Sequence, residues 1–123
     1  MPKGRILCTE DDPDSLEMVA LTLRHSGYEV VCARNAHHAL TLALDEEFDL
    51  LLLDNWMPGI SGLELTREIR MRNTTTPILF YSGVATKVDI QEALNAGAQG
   101  YLLKPLGVNE LICEIEKLIE RGN

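Results

Sequence analysis

A pair of acids at Glu10-Asp11, a lone acid at Asp54, a hydroxyl at Ser82 and an ammonium at Lys104 each follow a short apolar run in this chain. Brought together, these groups suit one chemistry. Three carboxylates about 4 Å apart repel by about 4 kcal/mol per pair at an effective dielectric near 20, so the cluster calls for a cation. Mg²⁺ fits, because it takes one or two carboxylates, keeps several waters and readily accepts phosphate oxygen. Lys104 would add a fixed positive charge from the opposite side, leaving a cleft shaped for a dianionic phosphoryl group. Transfer of that group requires positioning and charge neutralisation more than covalent work. Asp54 is placed as the in-line nucleophile, since a carboxylate can form an acyl phosphate. Ser82, followed by Gly83, can donate its hydroxyl to a phosphate oxygen, moving toward the group only when one is present.

The elements that must position these residues alternate along the chain. Short apolar runs at 5–9, 29–33, 49–53, 77–81 and 100–103 are separated by segments of helical period. The third run is almost continuous leucine (Leu50 to Leu53), which suits a central strand covered on both faces. Leu16, Val19, Ala20 and Leu23 fall on one helical face, as do Ala36, Ala39, Leu40, Ala43 and Leu44, and again Val108, Leu111, Ile112, Ile115, Leu118 and Ile119. Weaker patterns place a third helix over 62–72 and a fourth over 87–96. Asp12-Pro13 is an N-cap with proline at the first helical position, and Gly27 and Gly97 are placed to end helices in a left-handed conformation.

Five strand-helix units in succession imply a parallel sheet with helices on both faces, because right-handed crossovers allow little else. The expected architecture is a flavodoxin-like α/β sandwich of strand order 2-1-3-4-5. Its switch point opens a crevice at the carboxyl ends of strands one and three. Glu10-Asp11 and Asp54 would flank that crevice, and Ser82 and Lys104 would share its rim.

A chain of 123 residues is expected to form one domain over 1–123. Its net charge of −8 disfavours binding to nucleic acid or anionic lipid and suits basic protein partners. The N-terminus has no apolar core or small-residue cleavage site of a signal peptide, and no run is long enough to span a bilayer, so a cytoplasmic protein is expected. Cys8, Cys32 and Cys113 lack metal-binding spacing and are read as buried small hydrophobes.

Four segments together resemble the receiver domain of two-component response regulators: Ile6-Leu7-Cys8-Thr9-Glu10-Asp11-Asp12-Pro13, Leu51 to Gly62, Tyr81-Ser82-Gly83, and Gly100-Tyr101-Leu102-Leu103-Lys104-Pro105. Each alone reads as a turn; their order and spacing cover essentially the whole chain. The resemblance implies that Asp54 accepts a phosphoryl group from a sensor histidine kinase or phosphotransfer protein. It implies Mg²⁺ held by Glu10, Asp11, Asp54 and the backbone carbonyl of Trp56, and a cis peptide between Lys104 and Pro105. Tyr101 becomes the aromatic switch residue that turns inward when Ser82 engages the phosphoryl group. The signalling surface is then the fourth helix, fifth strand and fifth helix, acting on an output domain or effector, or joining a homodimer. No output domain is expected within these residues, and no turnover of an external substrate.

Departures from the family pattern carry expectations of their own. Glu10 replaces the more usual Asp, so its longer arm would reach Mg²⁺ through water. Trp56 is bulky, and Val84, two residues after Ser82, has no polar group to orient water, so a long-lived phosphoryl-Asp54 is expected. Two other readings remain: an aspartyl-nucleophile hydrolase, disfavoured because Trp56 stands where a general acid is needed, and a degenerate receiver that binds partners without phosphorylation.

Overall fold

The computed structural model describes residues 2–83 and 85–122. Five strands, β1 (Arg5–Thr9), β2 (Glu29–Ala33), β3 (Leu50–Leu53), β4 (Ile78–Ser82) and β5 (Gly100–Leu103), alternate with five helices, α1 (Pro13–His25), α2 (Ala36–Asp45), α3 (Gly62–Arg70), α4 (Lys87–Ala96) and α5 (Val108–Gly122). The strands form one parallel sheet in the order β2-β1-β3-β4-β5, as the alternation of elements requires.

Local chemistry sets the helix ends. Asp12 accepts from the Ser15 N–H ahead of Pro13, which has no N–H to leave unpaired. Thr86 and Asp89 form a reciprocal capping box at the start of α4, and Gly97 ends that helix at φ +118°.

Side-chain alternation along the strands divides the core into two layers. Ile6, Cys8, Leu50, Leu52, Leu79 and Tyr81 face α1 and α5, meeting Leu16, Ala20, Leu23, Leu111, Ile115 and Leu118. On the opposite face Leu7, Leu51, Leu53, Ile78 and Phe80 meet Ala36, Ala39 and Ala43 of α2, Leu65 and Ile69 of α3, and Ala93 of α4. All four leucines of β3 are buried, so both sides of that strand are dry. Each such side chain contributes about 1.5–3 kcal/mol, enough to hold the sheet rigid beneath its rim.

Three boundaries and one cysteine differ from the sequence expectation: Cys8 is buried and Cys32 half-buried, but Cys113 is exposed. Strand β3 begins at Leu50, one residue later than the apolar run suggests. Strand β4 covers Ile78–Ser82, displaced by one residue from 77–81, because Pro77 has no N–H for the ladder while Ser82 still pairs with Leu103. Ser82 therefore ends its strand and does not follow it. Helix α3 stops at Arg70, since the N–H groups of Met71, Arg72 and Asn73 close a turn onto Glu68 and Ile69.

Candidate functional site

Parallel pairing continues one residue beyond several strands and brings the polar residues to one rim. The Glu10 N–H donates to Ala33 O at 3.1 Å, the Asp54 N–H to Thr9 O at 3.1 Å, and the Lys104 N–H to Ser82 O at 2.8 Å. Residues far apart in sequence are thereby fixed as neighbours by backbone ladders. Helix α3 supports the rim from below: a Cβ at Gly62 would lie 2.6 Å from the Asp54 carbonyl oxygen, so only glycine allows this approach.

Asp54 sits at the centre of the polar contacts. Its Oδ1 accepts from the Ser82 hydroxyl at 2.9 Å and from the Trp56 N–H at 3.0 Å, while Lys104 Nζ donates to its Oδ2 at 3.1 Å. The Lys104 ammonium also pairs with Glu10 Oε1, and Glu10 Oε2 accepts from the Asp11 N–H at 3.0 Å. One carboxylate oxygen from each of Glu10, Asp11 and Asp54 lies within 4.8 Å of the others, a hard-oxygen set that fits Mg²⁺.

Glu10, Asp54 and Ser82 are buried, at 6, 8 and 0 % exposure, so water does little to screen this excess of negative charge. Burial, together with the adjacent Asp54, pushes the Glu10 carboxyl up to about 7 against the pull of Lys104. Burial also works against ionised Asp54, but the Trp56 N–H, Glu10 and Lys104 outweigh it and hold that carboxyl below the ordinary range. For Lys104, burial is overcome by Glu10 and Asp54, and its pKa rises. Asp54 and Lys104 thus stay charged, and Glu10 carries the unresolved repulsion.

The structure brings Glu10, Asp11, Asp54, Ser82 and Lys104 together as the sequence suggests. Ser82 already donates directly to Asp54, closer than an approach reserved for a phosphoryl group. The Lys104-Pro105 peptide is cis. Trp56 is half exposed, with its backbone N–H turned to Asp54. Tyr101 stacks on Phe80, ring centroids 5.2 Å apart, and its hydroxyl accepts from Asn55 Nδ2 at 3.4 Å. Val84 lies outside the described residues.

Sequence reasoning missed two residues. Tyr81 places its ring 5.5 Å from Lys104 Nζ, and its hydroxyl accepts from the Leu106 N–H at 3.1 Å, so it steers both the cation and the loop behind it. Asn55 is buried between β3 and α3. A polar amide directly after a leucine run was the available signal.

A parallel sheet of order 2-1-3-4-5 with helices on both faces defines the flavodoxin-like class of α/β proteins, and here acids line the crevice at its switch point. Within that class, a sequence profile of the response regulator receiver domain matches residues 6–116. The chain belongs to this family, the receiver domains of two-component response regulators. It is 35% identical over 117 residues to response regulator ArlR of Staphylococcus saprophyticus, covering 95% of this chain and 53% of that protein. The chain spans about half the length of the curated relatives it matches. Among solved structures it resembles a CheY-like receiver domain protein from Methanospirillum hungatei, with TM-score 0.93 and 30% identity, covering 96% of this chain and 94% of that one. It also resembles response regulator TrrA of Thermotoga maritima, solved in complex with Mg²⁺-BeF, with TM-score 0.86 and 34% identity over 96% of this chain and 99% of that one.

Proposed function

We propose that Asp54 accepts a phosphoryl group from a phosphohistidine donor, a sensor histidine kinase or a histidine phosphotransfer protein, and that the modified protein switches a distant face. The observation that carries this reading is the environment of Asp54: Ser82, Lys104 and the Trp56 N–H all bond its carboxylate, beside the oxygens of Glu10 and Asp11. Glu10, Asp11, Asp54 and the Trp56 backbone carbonyl would hold Mg²⁺. When bound, the ion would supply positive charge to offset the negative charge that builds up during transfer.

The roles of the remaining groups follow from their positions. Asp54, held ionised, is the nucleophile, and Lys104 meets the oxygen on its far side. Ser82 would exchange its bond to Asp54 Oδ1 for one to a phosphoryl oxygen, drawing the end of β4 with it. Tyr101, stacked on Phe80 one strand away, is the aromatic side chain that would follow. The resulting change would be read on α4, β5 and α5, where Val88, Leu103 and Val108 expose apolar surface to an effector, an output domain or a second copy of the chain. On this reading residues 1–123 act as one receiver module in the cytoplasm, modified stoichiometrically without turning over an external substrate. Among the described residues no helix is long and apolar enough to cross a membrane.

Incubation with Mg²⁺ and acetyl phosphate tests the assignment. A mass gain of one phosphoryl group that Asp54→Ala abolishes supports it. Absence of Mg²⁺-dependent labelling would favour a receiver that works by binding alone.

A further inference from the structure

We infer that Asn55 is a positioning residue that ties the acceptor loop to Tyr101, so that the ring's seat on Phe80 and the geometry at Asp54 depend on one another; this rests on the proposal that Asp54 is the acceptor and Tyr101 the switch. Asn55 is only 4 % exposed and directly follows Asp54. A buried amide is costly unless both of its ends are bonded, so an apolar side chain would be the cheaper occupant of this site. Both ends of Asn55 are bonded.

The two bonds fix the amide's orientation. The Leu63 N–H can only donate, and it lies 3.1 Å from the oxygen, so Oδ1 faces α3. Nδ2 then faces the Tyr101 hydroxyl at 3.4 Å, and that hydroxyl accepts. The Asn55 backbone carbonyl takes the Gly62 N–H at 3.1 Å, so the first two N–H groups of α3 both end on this one residue.

Anchoring α3 needs only an oxygen, which Asp or Ser would also supply. The amide nitrogen is the addition, and it reaches another strand. Through it Tyr101 is joined to the peptide that carries Asp54 on one side and the Trp56 N–H on the other. Any rearrangement of that loop when Asp54 is modified must move or strain the Tyr101 contact. By linkage, displacement of Tyr101 must in turn change affinity at Asp54 by the same factor.

The test uses 3-fluorotyrosine in the whole protein, whose three tyrosines give few ¹⁹F resonances, with Tyr101→Phe assigning its own. Binding of beryllofluoride with Mg²⁺, a phosphoryl mimic, is followed by fluorescence of Trp56, the sole tryptophan. Asn55→Leu is expected to move the Tyr101 resonance toward its solvent-exposed position and to weaken beryllofluoride binding by at least about threefold. Tyr101→Phe should also weaken binding, and the double variant no further than Asn55→Leu alone. If Asn55→Leu fails to fold, the Asn55 side-chain NH₂ resonances should shift in Tyr101→Phe, and unchanged resonances overturn the inference. It is equally overturned if Asn55→Leu loses stability yet leaves the Tyr101 resonance and affinity unchanged, or if the two substitutions weaken binding multiplicatively. Wild-type protein that binds no beryllofluoride would instead remove the acceptor reading on which the inference stands.

Discussion

The two ends of the same sheet both gather acids around a single cation, and they differ in where the water is. At the amino end Arg5 bonds Glu29 and Glu46, whose side chains are 51 and 38 % exposed. At the carboxyl end Lys104 bonds Glu10 and Asp54, whose side chains are 8 and 11 % exposed. Two acids per cation is therefore an ordinary surface cluster in one place and an unrelieved charge in the other. Burial, more than the count of charges, separates a site poised for a divalent ion from a structural ion pair.

Substitution of the two cations should separate the ends most widely. Lys104→Ala leaves two buried carboxylates without their partner and is expected to slow acetyl phosphate labelling by about a hundredfold, measured by intact mass against time. Labelling at the wild-type rate would mean that the ammonium takes no part in transfer.

Gly62→Ala attacks the support of the carboxyl end. Its Cβ would press on the Asp54 carbonyl at 2.6 Å, and the rigid contact should cost about 2 kcal/mol in a urea titration while leaving the Arg5 cluster undisturbed. A neutral result would show that α3 can retreat from the Asp54 peptide without penalty.

Metal addition sharpens the contrast in the stabilising direction. At tenfold over its dissociation constant Mg²⁺ should add about 1.4 kcal/mol. That corresponds to a rise in Tm of about 5 °C for a domain of this size. Asp11→Asn should reduce the gain, whereas Arg5→Ala should preserve it. The smallest effect belongs to Arg5→Ala itself: less than about 1 kcal/mol, including the lost packing of its guanidinium on the Phe48 ring, with labelling unchanged.

Much of this was legible because periodicity, turn chemistry and the rules of parallel topology agree. The leucine run of β3, the amphipathic faces of α1, α2 and α5, and the glycine that ends α4 each carry a local signal. The parallel arrangement then places Glu10, Asp11, Asp54 and Lys104 on one rim without further information. Ser82 was displaced by one residue because an apolar run ends where hydrophobicity ends, while a ladder ends where pairing ends. Asn55 and Tyr81 were not legible for a different reason. Their roles depend on partners 46 and 25 residues away, and no local pattern states which hydroxyl an amide will meet or which loop a phenol will hold.

Lys104 comes from the last strand in sequence, which is also an edge of the sheet, whereas Glu10, Asp11 and Asp54 precede it in the chain. During synthesis the ribosome therefore delivers every acid of the crevice well before their counter-charge. A chain synthesised only as far as residue 103 therefore has the acids but not the ammonium, and water, not Lys104, solvates those carboxylates until β5 joins the edge of the sheet.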